Sequence, residues 1–133
     1  MSTTPPPATF DDIAGAVHEV RGLHALLLFG SRARDDAHER SDWDFGYLGS
    51  SNLDVAGLLS ALVTAVGTDR VDLVDLARAG GLLRYRAARD GQVVVEPVPG
   101  TADTFRLAAV RFWCDAGPVL QRGYEGVLAE LGP

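Results

Sequence analysis

One stretch of the chain constrains its fold most strongly: an apolar run, a Gly-Ser pair, a polar loop and a segment with strand-like alternation. Leu23 to Phe29 has the apolar character of a short strand buried on both faces, and it leads directly into Gly30-Ser31. Ten residues separate Ser31 from the next segment, Asp42 to Tyr47, where aspartate or glycine alternates with aromatic residues. Two strands joined in this way predict a sheet at the centre of the protein.

The remaining hydrophobic patterns predict a mixed order of helices and strands. Thr9 and Asp12 have the spacing of a capping box, which predicts the start of a first helix. The apolar periodicity continues from there and predicts that this helix ends before Gly22. Further helices are predicted at Leu53 to Val66, around Leu82 to Arg86, and as a terminal pair at Phe105 to Trp113 and Val119 to Leu131. Further strands are predicted at Val71 to Leu76 and Val93 to Val95, the second after a turn at Asp90-Gly91.

These patterns predict an α/β fold with a small mixed sheet, helices mainly on one face, and C-terminal helices in addition. A length of 133 residues with 47% hydrophobic residues suits one domain. We expect residues 1–8, with their proline run, to be a disordered leader and residues 9–98 to form the core of the domain. Residues 99–133 are expected to be a C-terminal helical extension of the same domain.

Composition limits the ligands that the protein can bind and the cellular compartment in which it is expected. With 12 basic and 18 acidic residues the formal charge is -6, which predicts no direct binding to nucleic acid. A single cysteine, Cys114, and the absence of a secretion segment indicate a cytoplasmic location. The longest apolar run, Ala25 to Phe29, is far below the ~20 residues of a membrane-spanning helix. The three histidines lack the spacing of a zinc site.

Three aspartates form the predicted metal-binding and catalytic group. Asp42 and Asp44 are two residues apart on a strand, so their side chains leave the same face. At about 4 Å and an effective dielectric near 20, two such carboxylates repel each other by about 4 kcal/mol, a cost that a divalent cation reverses. Hard oxygen ligands favour two magnesium ions, or manganese, over zinc. A neighbouring strand can add Asp72 as ligand and general base, whereas Asp75 points to the opposite face.

The Gly-Ser pair predicts a site for a triphosphate. Gly30 permits close approach of the backbone to a ligand, and Ser31 opens a short helix whose amides can face an anion. Arg32 and Arg34 can contact phosphates, although helix geometry allows only one of them to face the ligand, and we favour Arg32. The predicted nucleotide-binding residues are therefore Gly30, Ser31 and Arg32.

Taken together, these motifs resemble those of the polymerase β-like nucleotidyltransferases. The likeness rests on Leu28 to Arg34, Ser41 to Asp44, Val71 to Leu76, and an Arg-Asp-Gly turn at Arg89 to Gly91 before a Val-rich strand. Within the superfamily the chain is most similar to the minimal nucleotidyltransferases, and among them to the antitoxins of the two-component system known as HEPN-MNT. The likeness covers nearly the whole chain.

The resemblance implies a function that spacing alone does not give. It implies that ATP is the donor, that AMP is added to a tyrosine hydroxyl of a helical HEPN ribonuclease toxin, and that this modification silences the toxin. Asp35 stands where the subgroup usually carries glycine, and its charge can repel the triphosphate. Two alternatives stay open: nucleotide transfer to a small molecule such as an aminoglycoside, and an antitoxin with weak catalysis that acts by binding alone. The sequence leaves open the donor nucleotide, the number of nucleotides transferred, the acceptor residue and the stoichiometry. It also leaves open whether Asp35 reduces activity and whether Asp72 or Asp75 is the third carboxylate.

Overall fold

The computed structural model of the protein describes residues 9–30, 32–33 and 42–114. Along the chain these residues form helices and strands in mixed order: α1 (Phe10–Val17), β1 (Leu23–Phe29), β2 (Trp43–Gly49), α2 (Val55–Val66), β3 (Val71–Asp75), α3 (Gly81–Asp90) and β4 (Gln92–Val95). Residues 101–114 are helical and are called α4. The strands form one sheet in the order β3-β2-β1-β4, in which β1 is antiparallel to both of its neighbours and β2 is parallel to β3.

Local sequence signals set the ends of the first two helices. The side chain of Thr9 accepts a hydrogen bond from the backbone N–H of Asp12, and the Asp12 carboxylate accepts one from the N–H of Thr9, both at 3.1 Å. This is the predicted capping box. In α2 the side chain of Asp54 accepts from the N–H of Gly57, and the helix ends at Gly67 with φ of +76°. Glycine adopts this left-handed conformation without the clash that a β-carbon brings.

β1 is buried on both faces because each face meets a separate layer of apolar residues. Leu26 and Leu28 belong to the first core layer, which lies between the sheet and helices α1 and α2. Ala25 and Leu27 belong to the second core layer, which includes Ala87 of α3 and further residues of α4. All four β1 side chains are at most 1% exposed. This explains why the strand has a nearly continuous apolar sequence rather than an alternating one.

The predicted elements are confirmed, with corrections at their ends. α1 ends at Val17 instead of continuing to Gly22, and α2 begins at Val55 because Asp54 is its N-cap. Asp90 is the last residue of α3, so the turn predicted at Asp90-Gly91 is wrong: the helix passes directly into β4. The predicted helix at residues 105–113 lies within α4. The predicted leader at residues 1–8 and the predicted helix at residues 119–131 lie outside the described residues.

The second face of the sheet is covered over β1 and β4 by α3 and α4. The described helices are therefore divided between the two faces, which corrects the prediction that they lie mainly on one. Phe105 and Ala109 of α4 are 5% and 2% exposed and pack in the second core layer with Ala87 and Ala88 of α3. None of the helices in the described part of the chain has the length and hydrophobicity that crossing a lipid bilayer requires.

Candidate active site

Asp44 is directed to the second face of the sheet by two buried aromatic neighbours. Trp43 and Phe45 are 7% and 0% exposed and lie in the first core layer, with ring centroids 6.0 Å apart and ring planes inclined by 7°. Because successive residues of a strand point to opposite faces, Asp44 points away from this layer. The predicted separation of the aspartate from its aromatic neighbours is thus confirmed.

Asp72 occupies the place next to Asp44 in the sheet. The parallel register of β2 and β3 pairs Asp44 with Asp72, and directly paired residues share a face. Asp72 is exposed and Asp44 is half-buried. The fold therefore gives two of the three predicted ligands adjacent positions at one end of the sheet.

Asp75 has a different environment on the other face of β3. Its register partner is Tyr47, and burial together with the charge of Asp75 raises the pKa of that tyrosine. One carboxylate oxygen of Asp75 accepts a hydrogen bond of 3.0 Å from the N–H of Ala77, and the other lies 3.8 Å from Nε of Arg78. Asp75 thus stabilises the turn that follows β3, and it points away from Asp44.

Asp42 lies immediately before β2 and is exposed to solvent. The N–H of Trp43 donates a hydrogen bond of 2.9 Å to the carbonyl of Arg70, which fixes the start of β2 beside the start of β3. The backbone therefore brings Asp42, Asp44 and Asp72 to the same end of two neighbouring strands. Within residues 9–30, 32–33 and 42–114, no three histidine, cysteine or acidic side chains are close enough together to hold a metal ion.

Gly30 is in close contact with the Asp44 carboxylate. Its φ is +75°, and a β-carbon on this residue would overlap Oδ2 of Asp44 and lie 3.1 Å from its Cγ. Phe29, the preceding residue, pairs with Asp44 in the antiparallel register of β1 and β2. The sequence predicts close approach of a ligand at Gly30, which stays a prediction, and the structure shows close approach of the Asp44 carboxylate at this residue.

The other two predicted nucleotide-binding residues have different outcomes. Ser31 lies outside the described residues, as do Arg34 and Asp35. The guanidinium carbon of Arg32 lies 4.2 Å from the centroid of the Trp43 ring, a cation–π contact. The contact directs the Arg32 guanidinium toward Trp43, whose side chain lies on the face of the sheet opposite Asp44. A role of Arg32 in phosphate binding therefore stays a prediction.

A cavity of about 430 Å³ opens beside Gly30 and Asp44. Its other walls are Phe29 and four residues of α3, namely Leu83, Arg86, Arg89 and Asp90. The Asp90 carboxylate accepts two hydrogen bonds of 2.9 Å from the Arg89 guanidinium, and these bonds raise the pKa of Arg89. The cavity thus contains two carboxylates, of Asp44 and Asp90, and two guanidinium groups, of which that of Arg89 is already paired with Asp90. Guanidinium groups suit the oxygens of a phosphate chain.

Arg86 and Arg89 line the cavity beside Asp44, although neither was predicted from the sequence to bind the nucleotide. The two residues are three apart in a helix, so they lie on the same face, and this spacing is a signal available from the sequence. What the sequence did not reveal is that α3 packs on the second face of the sheet, which directs that helix face toward Asp44.

The chain matches one protein family and is similar to a named protein of that kind. Residues 12–98 match the protein family described as "Polymerase beta, Nucleotidyltransferase". A protein of Aphanizomenon flos-aquae (strain 2012/KM1/D3) named protein adenylyltransferase MntA is 31% identical over 97 residues, which are 63% of this chain. The match spans 64% of the length of that relative.

Two solved structures have a similar fold. A chain of a toxin–antitoxin complex with AMP-PNP superposes with a TM-score of 0.73 at 24% identity, covering 90% of this chain and 98% of that one. A chain of the tri-AMPylated Shewanella oneidensis HEPN toxin in complex with MNT antitoxin gives a TM-score of 0.65 at 22% identity, covering 89% and 94%. At these identities the likeness establishes a common fold, which confirms the predicted mixed α/β architecture.

Proposed function

The chain belongs to the polymerase β nucleotidyltransferase family, and from this premise we propose that it is an antitoxin that transfers AMP from ATP to a tyrosine of a HEPN-type toxin. The family confirms the resemblance given by the sequence motifs. The relative named protein adenylyltransferase MntA supports a protein as the acceptor. The structurally similar complexes, one with AMP-PNP and one with an AMPylated HEPN toxin, support the donor and the partner.

The pairing of Asp44 with Asp72 is the observation that carries the proposal. Two carboxylates in adjacent places, with Asp42 at the same end of the strands, form a set of oxygen donors of the kind that magnesium prefers. In this structure the three side chains are not close enough together to hold a metal ion, so Asp42, Asp44 and Asp72 would have to move closer to hold two magnesium ions. Such ions would supply neutralisation of the triphosphate and of the departing pyrophosphate.

In the proposed reaction the tyrosine oxygen of the toxin forms a bond to the α-phosphorus of ATP. The bond from that phosphorus to the oxygen bridging to the β-phosphate breaks, and pyrophosphate leaves with the electron pair. Asp72 accepts the proton of the tyrosine hydroxyl, a role that suits a carboxylate exposed to an incoming substrate. Arg86 and Arg89 would bind the triphosphate oxygens in the cavity beside Asp44.

The proposal is tested by intact mass spectrometry of the toxin partner. The partner to use is a HEPN-type toxin, identified by searching the neighbouring genes for a small helical protein with an Arg-to-His ribonuclease motif. It is incubated with ATP, magnesium and either the wild-type protein or the double variant Asp42→Ala, Asp44→Ala. A second double variant, Asp11→Ala, Asp103→Ala, removes two exposed acidic residues outside the site and is the matched control.

Each outcome decides between the candidate functions. A mass gain in AMP units with the wild-type protein and the control, and none with Asp42→Ala, Asp44→Ala, supports the adenylylating antitoxin. A stable complex without a mass gain contradicts it and favours an antitoxin that acts by binding alone. If the two proteins form no complex and the partner gains no mass, the result favours a small-molecule acceptor such as an aminoglycoside.

A further inference from the structure

A second cavity lies on the same face of the sheet, at the end opposite Asp44. Its volume is about 580 Å³, within the range of ~300–1,000 Å³ typical of small-molecule sites. It opens between the far ends of β1 and β2 and the helices α3 and α4. His24 and Leu48 line it on the sheet side, and His24 is five residues from Phe29, which is about 16 Å along an extended strand. The cavity is therefore separate from the site at Asp44.

His24 is at this cavity because of an irregularity in the sheet. Leu23 pairs with Gly49 and Ala25 pairs with Leu48, so His24 is an extra residue on β1 opposite a single step of β2. Such a β-bulge redirects the side chain of the extra residue. The carbonyl of His24 accepts a hydrogen bond of 3.2 Å from the N–H of Val98, another residue of the cavity wall.

Arg84 of α3 brings a half-buried cationic side chain to the same wall. Its Nε is buried and has no hydrogen-bond partner in the described part of the chain. The guanidinium carbon lies 5.7 Å from the centroid of the Phe105 ring, which also lines the cavity. Because Nε itself is shielded from the cavity, a ligand would meet the other two guanidinium nitrogens, with which a carboxylate forms charge-assisted hydrogen bonds.

The charge of the cavity differs from that of the protein as a whole. The chain has a formal charge of -6, yet none of the described residues that line this cavity is acidic, and Arg84 supplies a positive charge. The nearby Glu96 carboxylate accepts a hydrogen bond of 2.8 Å from the N–H of Ala102, so it is held at the first turn of α4. Most of the wall is apolar, with Leu48, Val98 and Phe105 among its members.

We propose that this cavity is a binding site for a small organic anion, in which a carboxylate pairs with Arg84 and an aromatic or aliphatic body packs against Phe105 and Leu48. The site goes beyond the proposed nucleotide transfer and does not depend on it. It lacks the second guanidinium and the carboxylate set that the Asp44 cavity offers to a nucleotide and its metal ions. From α4 the Thr104 hydroxyl can donate a further hydrogen bond to the ligand, whereas the Thr101 hydroxyl already donates one of 2.7 Å to the Val98 carbonyl.

The probe is phenylacetate, and its neutral counterpart is 2-phenylacetamide, which has the same ring without the negative charge. Both are titrated into the full-length 15N-labelled protein while backbone amide shifts are followed by NMR. We expect saturable shifts at Gly49 and at residues 98–105 with phenylacetate, and binding weaker by about tenfold or more with the amide. Arg84→Gln should reduce phenylacetate binding to the level of the amide.

Arg21→Gln is the matched control, because it removes an exposed arginine that lies outside the cavity. It should bind phenylacetate as the wild-type protein does, and AMP-PNP with magnesium should not displace the probe. The inference is overturned by absence of saturable shifts at the cavity, by equal binding of the two probes to wild-type protein, or by displacement with AMP-PNP. The two-probe comparison needs no variant, so it remains decisive if Arg84→Gln does not fold.

Discussion

Gly30 lies so close to the Asp44 carboxylate that a β-carbon at position 30 would overlap Oδ2 and lie 3.1 Å from Cγ. This contact joins the end of β1 to a proposed ligand of the metal ions. The glycine of the Gly-Ser motif therefore has two roles: it adopts a positive φ at the end of a buried strand, and it leaves space for the carboxylate. The two roles can be separated by mutation.

Gly30→Ala is expected to lower the free energy of unfolding by about 1–2 kcal/mol, the cost of a left-handed conformation for alanine. It should also reduce nucleotide transfer by about 100-fold, since a shift of about 1 Å in a catalytic group has an effect of that order. Gly67→Ala is the matched control, because Gly67 has φ of +76° and open space around its β-carbon position. Chemical denaturation and initial rates measure both effects. Equal rates in the two variants would contradict a role for the Gly30–Asp44 contact.

Arg86→Gln tests the cavity beside Asp44. Arg86 is exposed, lines that cavity, and is proposed to bind triphosphate oxygens. Loss of one charge-assisted hydrogen bond predicts an increase of about tenfold in KM for ATP with a smaller change in kcat. Arg78→Gln removes an arginine outside the cavity and should leave KM unchanged. A decrease in kcat alone would show that Arg86 acts on a later step than ATP binding.

The capping box of α1 predicts a dependence of stability on pH. Hydrogen bonds from the backbone and side chain of Thr9 hold the pKa of Asp12 below its ordinary value of 3.8. The carboxylate therefore contributes stability above about pH 3.8, and this contribution is lost as the pH falls through the lowered pKa. Asp12→Ala should lower Tm at neutral pH, and its difference from wild type should shrink in strong acid. Asp11 lies in the same turn but outside the capping box. Asp11→Ala should therefore lower Tm less at neutral pH, and its difference in Tm from wild type should not shrink in strong acid as that of Asp12→Ala does.

The sequence predicts most of the fold because its strongest signals are local. The capping box of α1, the apolar β1 and the alternation of β2 each depend on a few adjacent residues, and each is present in the structure. The apolar pattern of Val71 to Leu76 likewise predicts the strand that carries Asp72, and this strand lies beside β2 in the structure. Ends of elements were less accurate, since Asp90-Gly91 has the composition of a turn but the N–H of Gly91 still bonds to the carbonyl of Ala87 in the last turn of α3.

Features that depend on packing between distant elements could not be predicted. Arg86 and Arg89 reach the Asp44 cavity because α3 packs on the second face of the sheet, a contact that helix periodicity does not specify. The contact of the Arg32 guanidinium with the Trp43 ring was likewise not predicted from the sequence, and phosphate binding by Arg32 stays a prediction. His24 lies at the second cavity only because a bulge interrupts the pairing of β1 with β2.

The most direct test of the account compares Asp72→Asn with Asp75→Asn. Both residues are aspartates of β3, but only Asp72 pairs with Asp44, whereas Asp75 points to the other face and bonds to Ala77. The measurement is the initial rate of AMP transfer from ATP to the toxin partner, with Tm recorded for each variant. We predict a loss of about 100-fold or more for Asp72→Asn and most of the activity retained by Asp75→Asn. Full activity in Asp72→Asn, or equal losses in two folded variants, would contradict the proposed catalytic site.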